Sequence, residues 1–411
     1  MKNFIRLFLF VVAAFLSNTA VWSQTDTSEN KPKIVKPRPP KVTTQTNPNA
    51  IGNSKDAKDN FSGGNYKDAL SEYLLLYKKD SLNVDLRYKI GVCYTNTYID
   101  RKKAIYHLEW VIKKDKIDPF AHYELGVAYM SEHRFDDAIK SFSKYKTLLK
   151  GKDINDINAD RQIEMCKNAQ ELIKKPVNIT FENLGPNINS PAPDYNPMII
   201  SDETMIIFCS KRNANIGGLI DYDGYMTTDI YQSFPKGNGW TKAKNLGANF
   251  NSELVEENVS LSPDGNCMVY YIDNYEGVDD IMISTRKGKV FPKGENPGST
   301  VNSKSVESSG CLNANHDMLI FASDQSGSLG KKDLWCSKRL PDGSWGTATN
   351  LGRDINSFLD EDFPSFSPDG KTLYFASMGH NSMGGFDIFK SEWNEKGSHW
   401  GEPTNLGHPI N

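Results

Sequence analysis

The sequence predicts a multidomain chain, α and all-β: an α-helical solenoid followed by a β-propeller of four-stranded blades. Three observations carry this. Alanine-centred strings recur at spacings of 35 and 34 residues within 54–174. Beyond Pro176, helical periodicity gives way to short apolar strings separated by Gly, Asn, Asp, Ser and Pro. There an Asn-Leu-Gly anchor returns at intervals of 62, 51, 54 and 55 residues.

The first 23 residues read as a signal peptide. Lys2 and Arg6 make a basic start, and Leu7 to Leu16 is an apolar run too short to cross a bilayer. Val21 and Ser23 are small enough to precede a cleavage site, which makes Gln24 the expected mature N-terminus. An exported, periplasmic chain is expected, with no transmembrane segment in its mature form. Residues 24–50 hold Lys31-Pro32-Lys33 and Lys36-Pro37-Arg38-Pro39-Pro40-Lys41, a solvated spacer in which proline removes backbone donors.

Residues 51–175 read as helical repeats. Ala69, Ala104 and Ala138 stand in similar strings, and Gly91 and Gly126 precede the later two by 13 and 12 residues. Tyr94 and Tyr129 follow the glycines by three, and Tyr73, Leu108 and Phe142 follow the alanines by four. Glycine and alanine suit a close crossing of two helices, and the aromatic residues fill the space beside it. A single helix pair buries too little alone, so the pairs must stack. Residues 156–174 read as a capping helix, ended by Pro176.

Residues 177–411 carry the second repeat. Anchors at Asn183, Asn245, Asn296 (as Asn-Pro-Gly), Asn350 and Asn405 are each followed six residues later by another Asn: 189, 251, 302, 356 and 411. Trp240, Phe291, Trp345 and Trp400 lie five residues before the later anchors, and Asp229, Asp280, Asp333 and Asp387 precede those aromatics by 11 to 13. Ser262-Pro263-Asp264-Gly265 and Ser367-Pro368-Asp369-Gly370 are turns, proline presetting φ and glycine accepting a positive one. Ser201-Asp202-Glu203 and Asn313-Ala314-Asn315-His316 are degenerate versions. Together they mark four complete blades and the start of a fifth. The last motif is well formed at Asn411, so the sequence is expected to belong to a longer protein.

With these motifs, residues 54–174 resemble a tetratricopeptide (TPR) array, and residues 177–411 resemble WD40-like propeller repeats of the TolB type. The order of signal peptide, TPR and propeller resembles OmpA-family outer-membrane-associated proteins of the PorE kind, which serve type IX secretion and gliding. The resemblance implies a non-enzymatic scaffold, periplasmic and associated with the outer membrane, that docks protein partners of the cell envelope. It implies peptidoglycan binding only through an OmpA-like domain absent from this sequence. The alternatives are a TolB-like module that binds a peptide or lipoprotein, and the propeller of a serine peptidase whose catalytic domain is not in this sequence.

Net charge of −3 argues against a nucleic-acid partner. No Gly-x-Ser-x-Gly elbow or His-Glu-x-x-His helix occurs, so neither a catalytic residue nor a metal or other cofactor is expected. The six cysteines form no CxxC pair and sit in apolar strings, as buried thiols do. Asp221-Tyr222-Asp223-Gly224 lacks the later ligands of a calcium loop and reads as a polar loop. His107, His122 and His133 read as packing or surface residues, and the four repeated aspartates as backbone acceptors. Repeat register places Tyr88, Asn96 and Tyr123 on the concave face of the helical array, where aromatic and amide groups suit an extended peptide.

Overall fold

The computed structural model describes residues 37–39, 52–97, 99–149, 157–200, 203–273 and 279–411. The expected signal peptide, most of the spacer and Ser201-Asp202 lie outside them. The chain divides into a helical unit running to Lys175, which also takes in residues 220–224, and a β unit of residues 176–219 and 225–411.

The helical unit contains α1 (Ser54–Ser62), α2 (Tyr66–Tyr77), α3 (Val84–Thr95), α4 (Arg101–Val111), α5 (Phe120–Ser131), α6 (Phe135–Leu148) and α7 (Ile157–Leu172). The first three start at asparagines 53, 65 and 83, whose side chains accept first-turn N–H groups. Each helix packs on its neighbours in sequence, and α3 also packs on α5. The close crossings lie at the glycines. A Cβ on Gly91 would stand 2.6 Å from Leu108, and one on Gly126 would stand 2.6 Å from Phe142. Ala69, Ala104, Ala138, Leu108 and Phe142 are all buried.

The β unit is a propeller of four blades among the described residues. Blade 1 has β1 (Asp194–Ile199), β2 (Ile206–Ser210), β3 (Asp229–Ser233), a small outer hairpin of β4 (Pro235–Lys236) and β5 (Gly239–Trp240), and β6 (Lys244–Asn245). Blade 2 has β7 (Val255–Leu261), β8 (Cys267–Asp273) and β9 (Asp280–Thr285). Blade 3 has β10 (Glu307–Leu312), β11 (Met318–Ser323), β12 (Asp333–Lys338) and β13 (Thr349–Asn350). Blade 4 has β14 (Glu361–Phe366), β15 (Thr372–Ser377), β16 (Asp387–Asn394), β17 (His399–Trp400) and β18 (Thr404–Asn405). Strand pairing is antiparallel throughout.

The first strands β1, β7, β10 and β14 touch one another in succession and so lie innermost. The apolar layers lie between blades. Ile207 and Ile230 of blade 1 pack with Met268 and Tyr270 of blade 2. Val269 and Ile281 pack with Leu319 and Phe321 of blade 3. Ile320 and Leu334 pack with Leu373 and Phe389 of blade 4. Phe291, Trp345 and Trp400 are buried in these layers, which explains their regular return.

The anchor motif is a backbone clamp. In blade 3, Asn356 Oδ1 accepts the Leu334 N–H at 2.8 Å while its Nδ2 donates to the Leu334 carbonyl at 3.0 Å. Asn251 holds Ile230, Asn302 holds Ile281 and Asn411 holds Ile388 in the same way. β18 pairs with β16, so the anchor at 405–411 completes the fourth blade, as the anchors at Asn245 and Asn350 complete blades 1 and 3. The repeated aspartates also bond backbone and anchor. Asp333 accepts the Leu329 and Gly330 N–H groups and the Asn350 amide, and Asp387 accepts the Met383 N–H and the Asn405 amide.

Candidate functional site

In the helical unit α3 packs on both α2 and α5, and these three helices carry half-buried polar side chains. Tyr88 of α3 is half-buried. Burial, and then the nearby carboxyls of Glu124 and Asp118, push its phenol pKa up. Tyr66, at the start of α2, and Cys93 of α3 are raised by burial and by the same Glu124. Glu124 of α5 thus acts electrostatically on two phenols and a thiol of α2 and α3. Burial pushes its carboxyl from 4.5 up to about 7.

The three residues read from repeat register are not used alike. Tyr88 takes part in this electrostatic coupling. Asn96 caps α3, and its Nδ2 donates to the Val92 carbonyl at 2.9 Å. Tyr123 is half-buried on α5, its ring against Phe142 and Tyr145 of α6 at 5.5 and 5.4 Å between centroids. Sequence reasoning missed Glu124 and Tyr66. A signal was present: Glu124 stands two residues before Gly126, where the preceding repeat has Lys89 before Gly91, and α5 is otherwise strongly apolar.

Elsewhere in the unit, Arg87 is enclosed by aromatic rings, its guanidinium carbon 4.2 Å from the Trp110 centroid and 5.1 Å from that of Tyr77. His107 packs on Tyr77 and Tyr94, and burial lowers its pKa to about 4. His122 is buried too, as a packing residue.

In the propeller, the inner strands carry an interblade polar network. The Tyr195 phenol donates to Glu257 and lies 2.7 Å from Thr228 Oγ1. Asn258 Nδ2 donates to the Ser308 carbonyl at 2.8 Å, and Ser308 Oγ donates to Asp362 at 2.9 Å. Lys332 Nζ donates to Asp362 at 2.7 Å. Burial would lower the Lys332 pKa, but Asp362 and Asp360 hold it above the usual value.

Blades 2 and 3 are also joined at the opposite end of their strands. His316 bonds Asp264 at 3.0 Å through Nε2 and lies 3.6 Å from Cys267 Sγ through Nδ1. Burial acts to raise the Asp264 pKa, but bonds from Ser262, His316 and Asn266 hold it well below the usual range. The six cysteines are free thiols, five of them buried. Asp221 is buried rather than exposed in its loop. Among the described residues, no three metal-ligating side chains gather, and no helix is long and apolar enough to cross a membrane.

No family model matches the chain. Among solved structures, it is similar to a putative TolB from Agrobacterium tumefaciens, with 18% identity and a TM-score of 0.32 over 51% of this chain and 62% of that one. It is similar to TolB from Acinetobacter baumannii, with 18% identity and a TM-score of 0.31 over 50% and 44% of the two chains. It is also similar to an acylaminoacyl peptidase from Pyrococcus horikoshii, with 13% identity and a TM-score of 0.28 over 52% and 32%. The chain thus spans less than two thirds of the length of each of these proteins.

Proposed function

We propose that this protein is an exported, non-enzymatic scaffold of the cell envelope, in which a TPR-type helical array docks an extended segment of a protein partner. Partners of an outer-membrane-associated assembly, such as a secretion or gliding complex, fit the order of leader-like N-terminus, helical repeats and propeller. The single observation that carries the reading is the stacking of successive helices, in which α3 packs on both α2 and α5. Tyr66, Tyr88 and Glu124 on these helices are half-buried, their polar heads held by no hydrogen bond among the described residues. Half-buried polar heads that a fold leaves unbonded are open to a ligand.

The test uses the full chain, immobilised and exposed to solubilised envelope of its source cell, beside a Tyr88→Ala variant whose circular dichroism matches the parent. An envelope protein retained by the parent and lost with the variant supports the reading. Equal retention by both overturns it.

A further inference from the structure

We infer that residues 183–189 are the outer edge of a further blade of this propeller, and that they clamp its third strand at an Asp-aliphatic step. The occupant is a strand of the same repeat, carried by a blade of this protein other than the four described.

The segment is folded as an anchor although it closes none of the four blades. Asn183 Oδ1 accepts the Gly185 N–H and the Asn189 amide, each at 2.8 Å. In blade 3, Asn350 Oδ1 accepts the Gly352 N–H at 2.7 Å and the Asn356 amide at 2.9 Å. The segment is also seated as an anchor. Ile188 is buried against Ile206, Phe208 and Tyr231 of blade 1, as Ile355 is buried against Leu373, Phe375 and Phe389 of blade 4. Asn187 donates to the Trp240 carbonyl at 2.8 Å, and at the same register Thr300 of the blade 2 anchor donates to the Trp345 carbonyl at 2.8 Å.

The difference lies on the side that faces a third strand. Leu246, Leu351 and Leu406 donate their N–H groups to the carbonyls of Ile230, Leu334 and Ile388. The Leu184 N–H, Asn183 Nδ2 and Asn189 Oδ1 meet no partner among the described residues. Asn189 is exposed, whereas Asn251, Asn302 and Asn356 are buried. Ile230, Ile281, Leu334 and Ile388 are each already held by their own anchor, so none of the four third strands is free to fill the place, in this chain or in a second copy. The ring is open where a further blade belongs. Blade 1 packs on blade 2, blade 2 on blade 3 and blade 3 on blade 4, and no comparable strand packing joins blade 4 to blade 1 among the described residues. The edge therefore selects a strand that brings a carboxylate to Asn183, a carbonyl to Leu184 and an N–H to Asn189, as Asp333 and Leu334 do for the blade 3 anchor.

The experiment follows backbone amide exchange residue by residue in the whole protein as its source cell makes it, at a dilution where it is monomeric, beside the 411-residue chain. The Leu184 N–H is expected to exchange about tenfold or more slowly in the whole protein than in the 411-residue chain, while the Leu351 N–H exchanges alike in both. Asn189→Ala in the whole protein is expected to speed exchange at Leu184 by about tenfold, the worth of the clamp's two hydrogen bonds, and to leave Leu351 unchanged. Equal exchange of Leu184 in the two chains, fast or slow, overturns the inference. Protection of Leu184 that arises only in a dimer gives the strand to a second copy and overturns it as well. Exchange at Leu184 unmoved by Asn189→Ala refutes the clamp.

Discussion

At the residue scale, the same chemical group takes opposite roles according to whether the fold satisfies it. Glu361 is fully buried, yet it accepts the Ser357 N–H at 2.8 Å and the Ser357 and Ser377 hydroxyls at 2.6 Å each. Its counterpart Glu307 is held by Ser303 and Ser323 in the same manner. These carboxyls build the start of each inner strand. Glu124 has no such bonds among the described residues; burial pushes its pKa up to about 7, as burial also does for Glu361 in spite of its bonds. The folded chain therefore holds a proton that the unfolded chain has lost between pH 4.5 and about 7. Stability falls as pH rises through that window, and the penalty is complete above it. Glu124→Gln removes the penalty, so it should stabilise the helical unit by roughly 1–3 kcal/mol near pH 8 and have little effect near pH 5, read as thermal midpoints by circular dichroism. Equal shifts at both pH values would show that the carboxyl does not titrate in this window.

At the element scale, the helix crossings and the blade clamps were legible in the sequence, because each demands one residue type at a fixed offset. Gly126 is glycine because Phe142 occupies the space where a Cβ would lie. Gly126→Ala should cost about 1–3 kcal/mol through overpacking, partly offset by alanine's better helix propensity, with Phe142→Leu in the same chain restoring some of the loss. Urea denaturation followed by far-UV circular dichroism measures it. The repeated Asn was equally legible as an anchor, but its bonds were not: nothing in a spacing tells that Asn356 takes both polar groups of Leu334. Glu124 and Tyr66 escaped for a different reason. They belong to different helices and come within electrostatic reach only through tertiary packing, which a one-dimensional register does not carry. Repeat register named Tyr88 because it follows from a single helix. It also named Asn96 and Tyr123 without showing that one caps α3 and the other packs on α6.

At the scale of the whole molecule, the propeller is tied between blades by apolar layers and by the polar network on its inner strands. Lys332 and Asp362 are the charged centre of that network, with side-chain exposures of 18% and 4%. Asp362→Ala removes the ammonium's close ion pair, leaves only the weaker pull of Asp360, and should cost about 3 kcal/mol, whereas Lys332→Met together with Asp362→Ala should cost less than the single change. Urea unfolding monitored by tryptophan fluorescence tests this, and a double variant less stable than the single one would refute it. Nothing in the sequence pattern set this lysine apart from the others, because it lies in a loop between β11 and β12 outside the repeated motif.

The measurement that bears most directly on the docking function places a photo-activatable phenylalanine at position 88 in the full chain, in its own cells. A matched chain carries it at position 140, where Lys140 of α6 has 77% of its side chain exposed. The account predicts one discrete adduct with an envelope protein from position 88, absent from position 140. No adduct at position 88, or the same set of adducts from both positions, would contradict a groove that docks a partner.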